Sequence, residues 1–415
     1  MKSKMFISLG ILGLMVASFM STGLSNSIIP VPVQASQDKT QSDGLTIYTY
    51  DSLMADPYYD IAGNFSAYSG INKDNINIVR YSDANVLVSK LISEKDHPQA
   101  DVVIGIDNAL EFLFNLSDVL VPYTNTSVLA NIDPSLIQNL DVNNYLVPYD
   151  YGIISFYYSN NLVNSTAYPV LNNLTFDNLL QSPLISKIVT ENPQISSTGL
   201  GFLLWTIGYY GDPNAFVSGL SGKDWTTFWN NGGKNINMTN SWGDAFTVFS
   251  DPKADKPMMV SYSTSPAYDN CIYGDNSTSA SVTTYLGKEY GWYQIEGAGL
   301  VKNSPNQANA KKFMDWFLGN DVQNHIPESQ WMYPARTNVT IPACFSQASL
   351  NPANVEKLNG FVSPSFLKQY LALWLNEWEQ LVVTQGLPGF NASFVIALFP
   401  VLSAIVIFRR KKASK

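Results

Sequence analysis

The chain of 415 residues has two histidines and two cysteines, and neither pair forms a cluster. His97 and His325 stand alone, and Cys271 and Cys344 have no histidine beside them, which argues against a zinc site. Charge is also scarce. Asp, Glu, Lys and Arg make up 14% of the chain, against roughly 25% in typical proteins. The net charge of −9 gives no reason to expect a nucleic-acid partner. The sequence has no G-x-S-x-G elbow, no Walker loop and no G-x-G-x-x-G fingerprint. Its carboxylates are plentiful, but no recognisable motif pairs them, and a Ser-His-Asp triad has only two histidines to draw on. An enzyme is therefore disfavoured, with a surface hydrolase using a carboxylate pair as the remaining enzymatic alternative. No internal repeat points to a surface-layer role.

A surface poor in charge must be wetted by Asn, Ser, Thr and Tyr, which suits an acidic exterior. Both ends point outside the cytoplasm. Lys2 and Lys4 precede an apolar run from Met5 to Met20, the pattern of a secretory signal, with Val33-Gln34-Ala35 as the cut; an uncleaved anchor helix is the alternative. Residues 1–35 are thus expected as a leader and 36–44 as a polar linker. Near the other end, residues 390–408 are apolar and would span about 28 Å as a helix, close to a bilayer core. Arg409, Arg410, Lys411 and Lys412 then place the tail, 409–415, in the cytoplasm. Only a short linker, 384–389, separates this expected membrane helix from the body. Nine N-glycosylation sequons, at Asn64, Asn115, Asn125, Asn164, Asn173, Asn237, Asn276, Asn338 and Asn391, would suit an exported surface. Outside a cell Cys271 and Cys344 could pair; two unrelated thiols is the alternative.

Between the ends, strands and helices alternate. LTIYTY (45–50), NINIV (75–79) and DVVIGI (101–106) read as strands, with helices over 59–69 and 84–94 and another after Asp107-Asn108. The continuous apolar run of the third strand is typical of a parallel sheet buried on both faces. The order β-α-β-α-β signals an α/β lobe. A long strand, 146–159, crosses into a second lobe. There KIVTENP (187–193) is a strand and residues 196–211 are a helix opened by Ser or Thr. Residues 313–318 and 366–382 read as amphipathic helices.

Aromatic residues stand beside polar turns at what read as strand ends: Tyr50, Trp242, Tyr262, Tyr268 and Trp331. In "MVSYSTSPAYDN" (259–270) a strand ends at Tyr262, hydroxyls and a proline reverse the chain, and Tyr268 returns to the same cleft. Open α/β sheets bind ligands outside the carboxyl ends of their strands. Several rings converging there suit a flat cation. Ser196, Ser197 and Thr198 open a helix whose N-terminus suits a phosphate. Asp107 at a strand end could accept from an amino group, or merely cap the next helix.

The segments YTYDS (48–52), DVVIGIDN (101–108), VPYDYG (147–152), STGLGFLLW (197–205), SYSTSPAY (261–268) and WMYP (331–334), in this order, resemble the periplasmic thiamine-binding proteins of ABC importers. The resemblance covers roughly residues 45–382. It implies an α/β periplasmic-binding-protein fold of type II: two lobes joined by hinge strands, 45–147 with 265–383 as lobe 1 and 148–264 as lobe 2. It also implies a monomer that closes on thiamine or thiamine phosphate and delivers it to an ABC permease and its ATPase, with no cofactor and no resident metal. On this resemblance Trp242, Tyr262, Tyr268 and Trp331 form the wall around the thiazolium and aminopyrimidine, and Tyr50 faces the same cleft. Asp107 partners the pyrimidine amino group, and Ser196, Ser197 and Thr198 hold the phosphate. The chain departs from the family before those serines, where Gln194 and Ile195 stand in place of an expected basic residue, so free thiamine is favoured. It departs again at the loop with Cys271 and at the C-terminal span, which suits a cell with one membrane, such as an archaeon. The alternative solutes are a polyamine or ferric iron. Iron is suggested by the Tyr-Tyr pairs at 58–59, 157–158 and 209–210.

Overall fold

The computed structural model describes residues 44–54 and 59–385. The expected leader, most of the polar linker, the membrane helix and the basic tail lie outside these residues. Among the described residues no helix is long and apolar enough to cross a membrane.

Eight strands form the path of one mixed sheet: β1 (Leu45–Tyr50), β2 (Ile76–Tyr81), β3 (Val102–Asp107), β4 (Val147–Ser159), β5 (Ile188–Glu191), β6 (Asn237–Thr239), β7 (Met258–Tyr262) and β8 (Lys288–Val301). Their spatial order is β2-β1-β3-β8-β4-β7-β5-β6. At one end β2, β1 and β3 run parallel. At the other β7, β5 and β6 run parallel. Two long antiparallel strands join these ends. β8 pairs with β3 on one side and β4 on the other, and β4 changes partner near Ile154, from β8 to β7. Buried strands must be apolar. β3 is buried at every position, and β4 at all but Tyr151 and Ser159.

The helices follow from local capping and burial. In α1 (Ile61–Ser69), Asp60 caps the start by accepting from the Gly63 N–H, and Gly70 ends the helix in the left-handed region. Asp83 opens α2 (Ala84–Ser93), and α3 (Ser197–Tyr210) is buried along its whole length. Such a helix must be apolar all round, and STGLGFLLWTIGYY is nearly so. Three further helices are α4 (Trp242–Ser250), α5 (Pro266–Tyr273) and α6 (Gln307–Phe317). They are followed by α7 (Ala343–Ala348) and α8 (Pro364–Gln385). In α8 the apolar stripe packs Leu367, Leu371, Trp374, Leu375 and Trp378 into the core.

One local expectation changes. The helix expected after Asp107-Asn108 is a single 3-10 turn, Leu110–Leu113. The turn after Tyr262 runs into a helix that brings Tyr268 back to the cleft that Tyr262 lines. Pro266, with its fixed φ and missing N–H, occupies the first turn of α5, and Tyr268 sits on that turn. A disulfide joins Cys271 on α5 to Cys344 on α7, with 5.1 Å between the Cα atoms.

Candidate functional site

A cavity of about 250 Å³ opens at the carboxyl ends of β1 and β7 and the start of α3. Rings form its wall. Trp242 opens α4, where Ser241 caps the helix by accepting from the Asp244 N–H. The Trp242 indole stacks on Phe246 at 5.2 Å and 9°, and its Nε1 donates to Ser261 Oγ at 2.9 Å. Tyr268 meets Trp331 edge-to-face at 5.3 Å. Trp331 ends a short helical turn, Ile326–Gln330, in the left-handed region at φ 59°. A bulky residue there is an uncommon and strained conformation, which sites of function tend to retain. Trp242, Tyr262, Tyr268 and Trp331 all line the cavity and all are half-buried.

The floor is polar. Tyr50 closes β1, and Gly105 on β3 makes room for it. Gly105 has a φ of +106°, and a Cβ on it would lie 2.4 Å from the Tyr50 ring. The Tyr50 hydroxyl donates to Glu296 Oε2 at 2.6 Å and accepts from Gln330 Nε2 at 2.7 Å. Tyr149 donates to the same Glu296 oxygen, and Gln294 Nε2 donates to Oε1 at 2.9 Å. Gln294 also donates to the Tyr262 hydroxyl at 3.0 Å. Asp150 lies opposite Glu296 in the β4–β8 register. Burial, then the charge of Glu296 and a hydrogen bond to it, push the Asp150 carboxyl well above its usual range. Burial raises Glu296 too, while its hydroxyl and amide donors pull it back.

A second acid lies at the helix start. Asp83 Oδ1 accepts from the N–H groups of Ala84, at 2.7 Å, and Ser197, at 3.1 Å. Burial pushes Asp83 up to about 7 despite those bonds. Its carboxyl thus occupies the N-terminus of α3, where the sequence suggested a phosphate.

The cavity is lined by Tyr50, Ser197, Thr198, Trp242, Tyr262, Tyr268 and Trp331 from the sequence expectation, but not by Ser196 or Asp107. Ser196 is the fully buried N-cap residue of α3. Asp107 is turned back on its own chain. Its Oδ1 accepts from the Ala109 and Leu110 N–H groups, each at 2.8 Å, so it caps the 3-10 turn. Trp242 and Trp331 stand at helical termini rather than strand ends.

The sequence reading missed Glu296, Asp83, Asp51, Phe246 and Gln330, all on the cavity lining, and Asp150 behind it. A carboxylate inside the largely apolar WYQIEGAGLV was the available signal for Glu296. The tyrosine pairs do not assemble an iron site among the described residues. Tyr157 lines the cavity but donates to Asp269 at 2.7 Å, Tyr158 bonds Ser281, and Tyr210 donates to Asp177 at 3.1 Å. Tyr58 lies outside the described residues.

The sequence pattern of bacterial extracellular solute-binding proteins matches residues 53–324. The chain belongs to that family. Its members bind solutes outside the cytoplasm and are not enzymes. A thiamine-binding periplasmic protein of Brucella melitensis is 30% identical over 344 residues, covering 81% of this chain and 91% of its own length. A solved periplasmic thiamin binding protein superposes with a TM-score of 0.66 at 27% identity, covering 81% of this chain and 96% of its own. The apo ferric ion-binding protein A of Pasteurella haemolytica, at 18% identity and a TM-score of 0.60, covers 84% and 100% and shares the fold.

Proposed function

We propose that this chain is the solute receptor of an ABC importer and that its solute is thiamine. The observation that carries the reading is the pairing of a ring wall with an acidic floor in one cavity. Trp242, Tyr262, Tyr268 and Trp331 present π faces and edges to a planar cation, and each such contact is worth about 0.5–2 kcal/mol. Glu296 supplies negative charge beneath them, and the carboxyls of Asp51 and Asp83 add acceptor oxygens. The names of the relatives agree with this chemistry. Free thiamine is favoured over its phosphates, because the helix start that would hold a phosphate already faces the Asp83 carboxyl.

The two parallel ends of the sheet, joined by β4 and β8, are in this reading the two lobes, 45–147 with 265–383 and 148–264. Their approach around the solute is the signal a permease reads. Residues 390–408 would tether the receptor to the outer face of the cell membrane. Tyr50, Trp242, Tyr262, Tyr268 and Trp331 are the proposed contacts. Ser197 and Thr198 lie near the solute's hydroxyethyl end.

The test is a titration of the purified chain with thiamine, read by calorimetry and by tryptophan fluorescence, with spermidine and ferric citrate as rivals. Heat and quenching at micromolar thiamine support the reading. Heat with a rival and none with thiamine would transfer it to a polyamine or iron receptor.

A further inference from the structure

The floor of the cavity holds more acid than a neutral solute requires. Glu296 lines the cavity and is only 3% exposed, while Asp150 behind it is fully buried. The two are register partners on adjacent strands. Glu296 receives three donors, from Tyr50, Tyr149 and Gln294. Neither oxygen of Asp150 receives any donor among the described residues. An ionised Asp150 would then be a bare buried charge beside another, and two carboxyls in contact do not both ionise. A protonated Asp150 that donates to Glu296 resolves this.

The surroundings bring no cation to the pair. Tyr50 faces it from β1, Asp107 from β3, Tyr149 from β4, Tyr262 from β7 and Gln330 from the turn before Trp331. Arg80 on β2 donates instead to the carbonyls of Tyr50, Asp51 and Leu53. None of the ion pairs among the described residues includes Glu296 or Asp150. Among the described residues no positive charge meets the pair, and the solute is the natural source of one.

We infer that the Asp150–Glu296 pair is the charge-recognition element of the cavity, and that a bound cation takes the place of the proton the pair shares. The inference rests on the cationic solute proposed above. The exchange balances: the singly protonated pair plus a cationic solute gives the doubly ionised pair with its solute, and one proton leaves to water. Solute affinity then rises with pH and falls on acidification, because a low-pH pair keeps its proton. Uncharged analogues of the same shape gain nothing from the exchange and bind weakly.

The experiment is calorimetry of the full chain with thiamine near neutral pH, in two buffers of different ionisation heat. The expected result is release of about half to one proton per solute bound, with affinity increasing as pH is raised. Glu296→Gln should abolish the release and weaken binding by about tenfold to hundredfold, as loss of a hydrogen-bonded charge does. Asp150→Asn should keep a donor facing Glu296, so it should bind without releasing a proton and with little pH dependence. The proton count is read on the unaltered chain, so it stands even if a variant fails to fold. Thiamine binding with no proton exchange overturns this inference and leaves the receptor reading intact. An absence of thiamine binding by the unaltered chain overturns both.

Discussion

Two groups of rings in this molecule use the same residue types in opposite settings. Around α3, Phe156, Phe176, Phe202, Trp205, Phe228 and Trp229 pack edge-to-face and tilted with centroids 5.0–6.4 Å apart, and none is more than 2% exposed. At the cavity, Trp242, Tyr262, Tyr268 and Trp331 are half-buried, and each presents ring surface to an open space. The indole N–H groups show how the settings differ. Trp205 donates to Thr283 inside the core, and Trp242 donates to Ser261 at the cavity rim. Both of these N–H groups find an acceptor, but only the cavity indole turns ring surface to an open space. The side chains next in sequence separate the two groups. Two of the core rings, Phe202 and Trp205, lie on the nearly apolar α3 and the others on elements packed around it, whereas Trp242, Tyr262 and Tyr268 each sit beside a Ser or Asp.

The comparison is most easily broken by exchanging the consequences of truncation. Trp205→Ala should cost about 3–5 kcal/mol of stability, because it opens a hole that Phe156 and Phe176 cannot fill. Urea unfolding would show the midpoint fall sharply. If the midpoint moved by less than a third of that, the core would be looser than its burial indicates.

Acidity acts on the molecule through its buried carboxyls. The rings do not titrate in the range of interest, but buried carboxyls do. Burial raises Asp83 and Asp107 to about 7 and Glu111 to about 9, and holds Asp150 and Glu191 well above their usual range. In the unfolded chain these groups have pKa values near 4. The folded protein therefore binds more protons than the unfolded one between roughly pH 4 and 9, so stability is greatest at the acid end and lost as pH rises through the folded values. A gain of about 2 kcal/mol or more on moving from pH 8 to pH 5 is expected in the absence of solute. Thermal melts across this range check it. A melting temperature that falls on mild acidification would mean these acids are ionised in the folded state. The expected acid tolerance, read in the sequence from scarce surface charge, thus has a second source in the interior.

Truncating a cavity ring should affect binding and little else. Trp331→Ala removes ring surface that faces the open cavity, so thiamine binding should weaken by about 1–3 kcal/mol with nearly unchanged unfolding. Tyr262→Ala should do the same, although its hydroxyl receives Gln294 and its loss also loosens the acidic floor. Unfolding of both variants would place these rings with the core group.

The order of elements was legible because buried strands and helices impose periodicity. LTIYTY forms a strand at its quoted bounds, and α3 and α8 lie within two residues of theirs or extend them slightly. The cavity rings were legible through their polar neighbours. What the chain could not show was which carboxylates face inward. Glu296 and Asp150 meet only in a paired sheet: their contact depends on the β4–β8 register, which joins residues 146 positions apart. Asp107 was misplaced for the opposite reason. Its local sequence is that of a residue at a strand end facing a ligand, and equally that of a cap, and only the direction of its carboxyl separates the two.

Asp107 therefore gives the smallest and cleanest test of the contrast between residues that build the site and residues that fill it. Its Oδ1 is engaged by two backbone N–H groups of the turn that follows β3, and the cavity does not reach it. An asparagine keeps that acceptor and changes only charge and one oxygen. Asp107→Asn should then alter stability by less than about 1 kcal/mol and leave solute affinity unchanged within about twofold, whereas Asp107→Ala, which strips both N–H groups of their partner, should cost about 1–2 kcal/mol of stability. A tenfold loss of thiamine affinity in the asparagine variant, with unfolding unchanged, would return Asp107 to the ligand and displace Glu296 from the role argued for it.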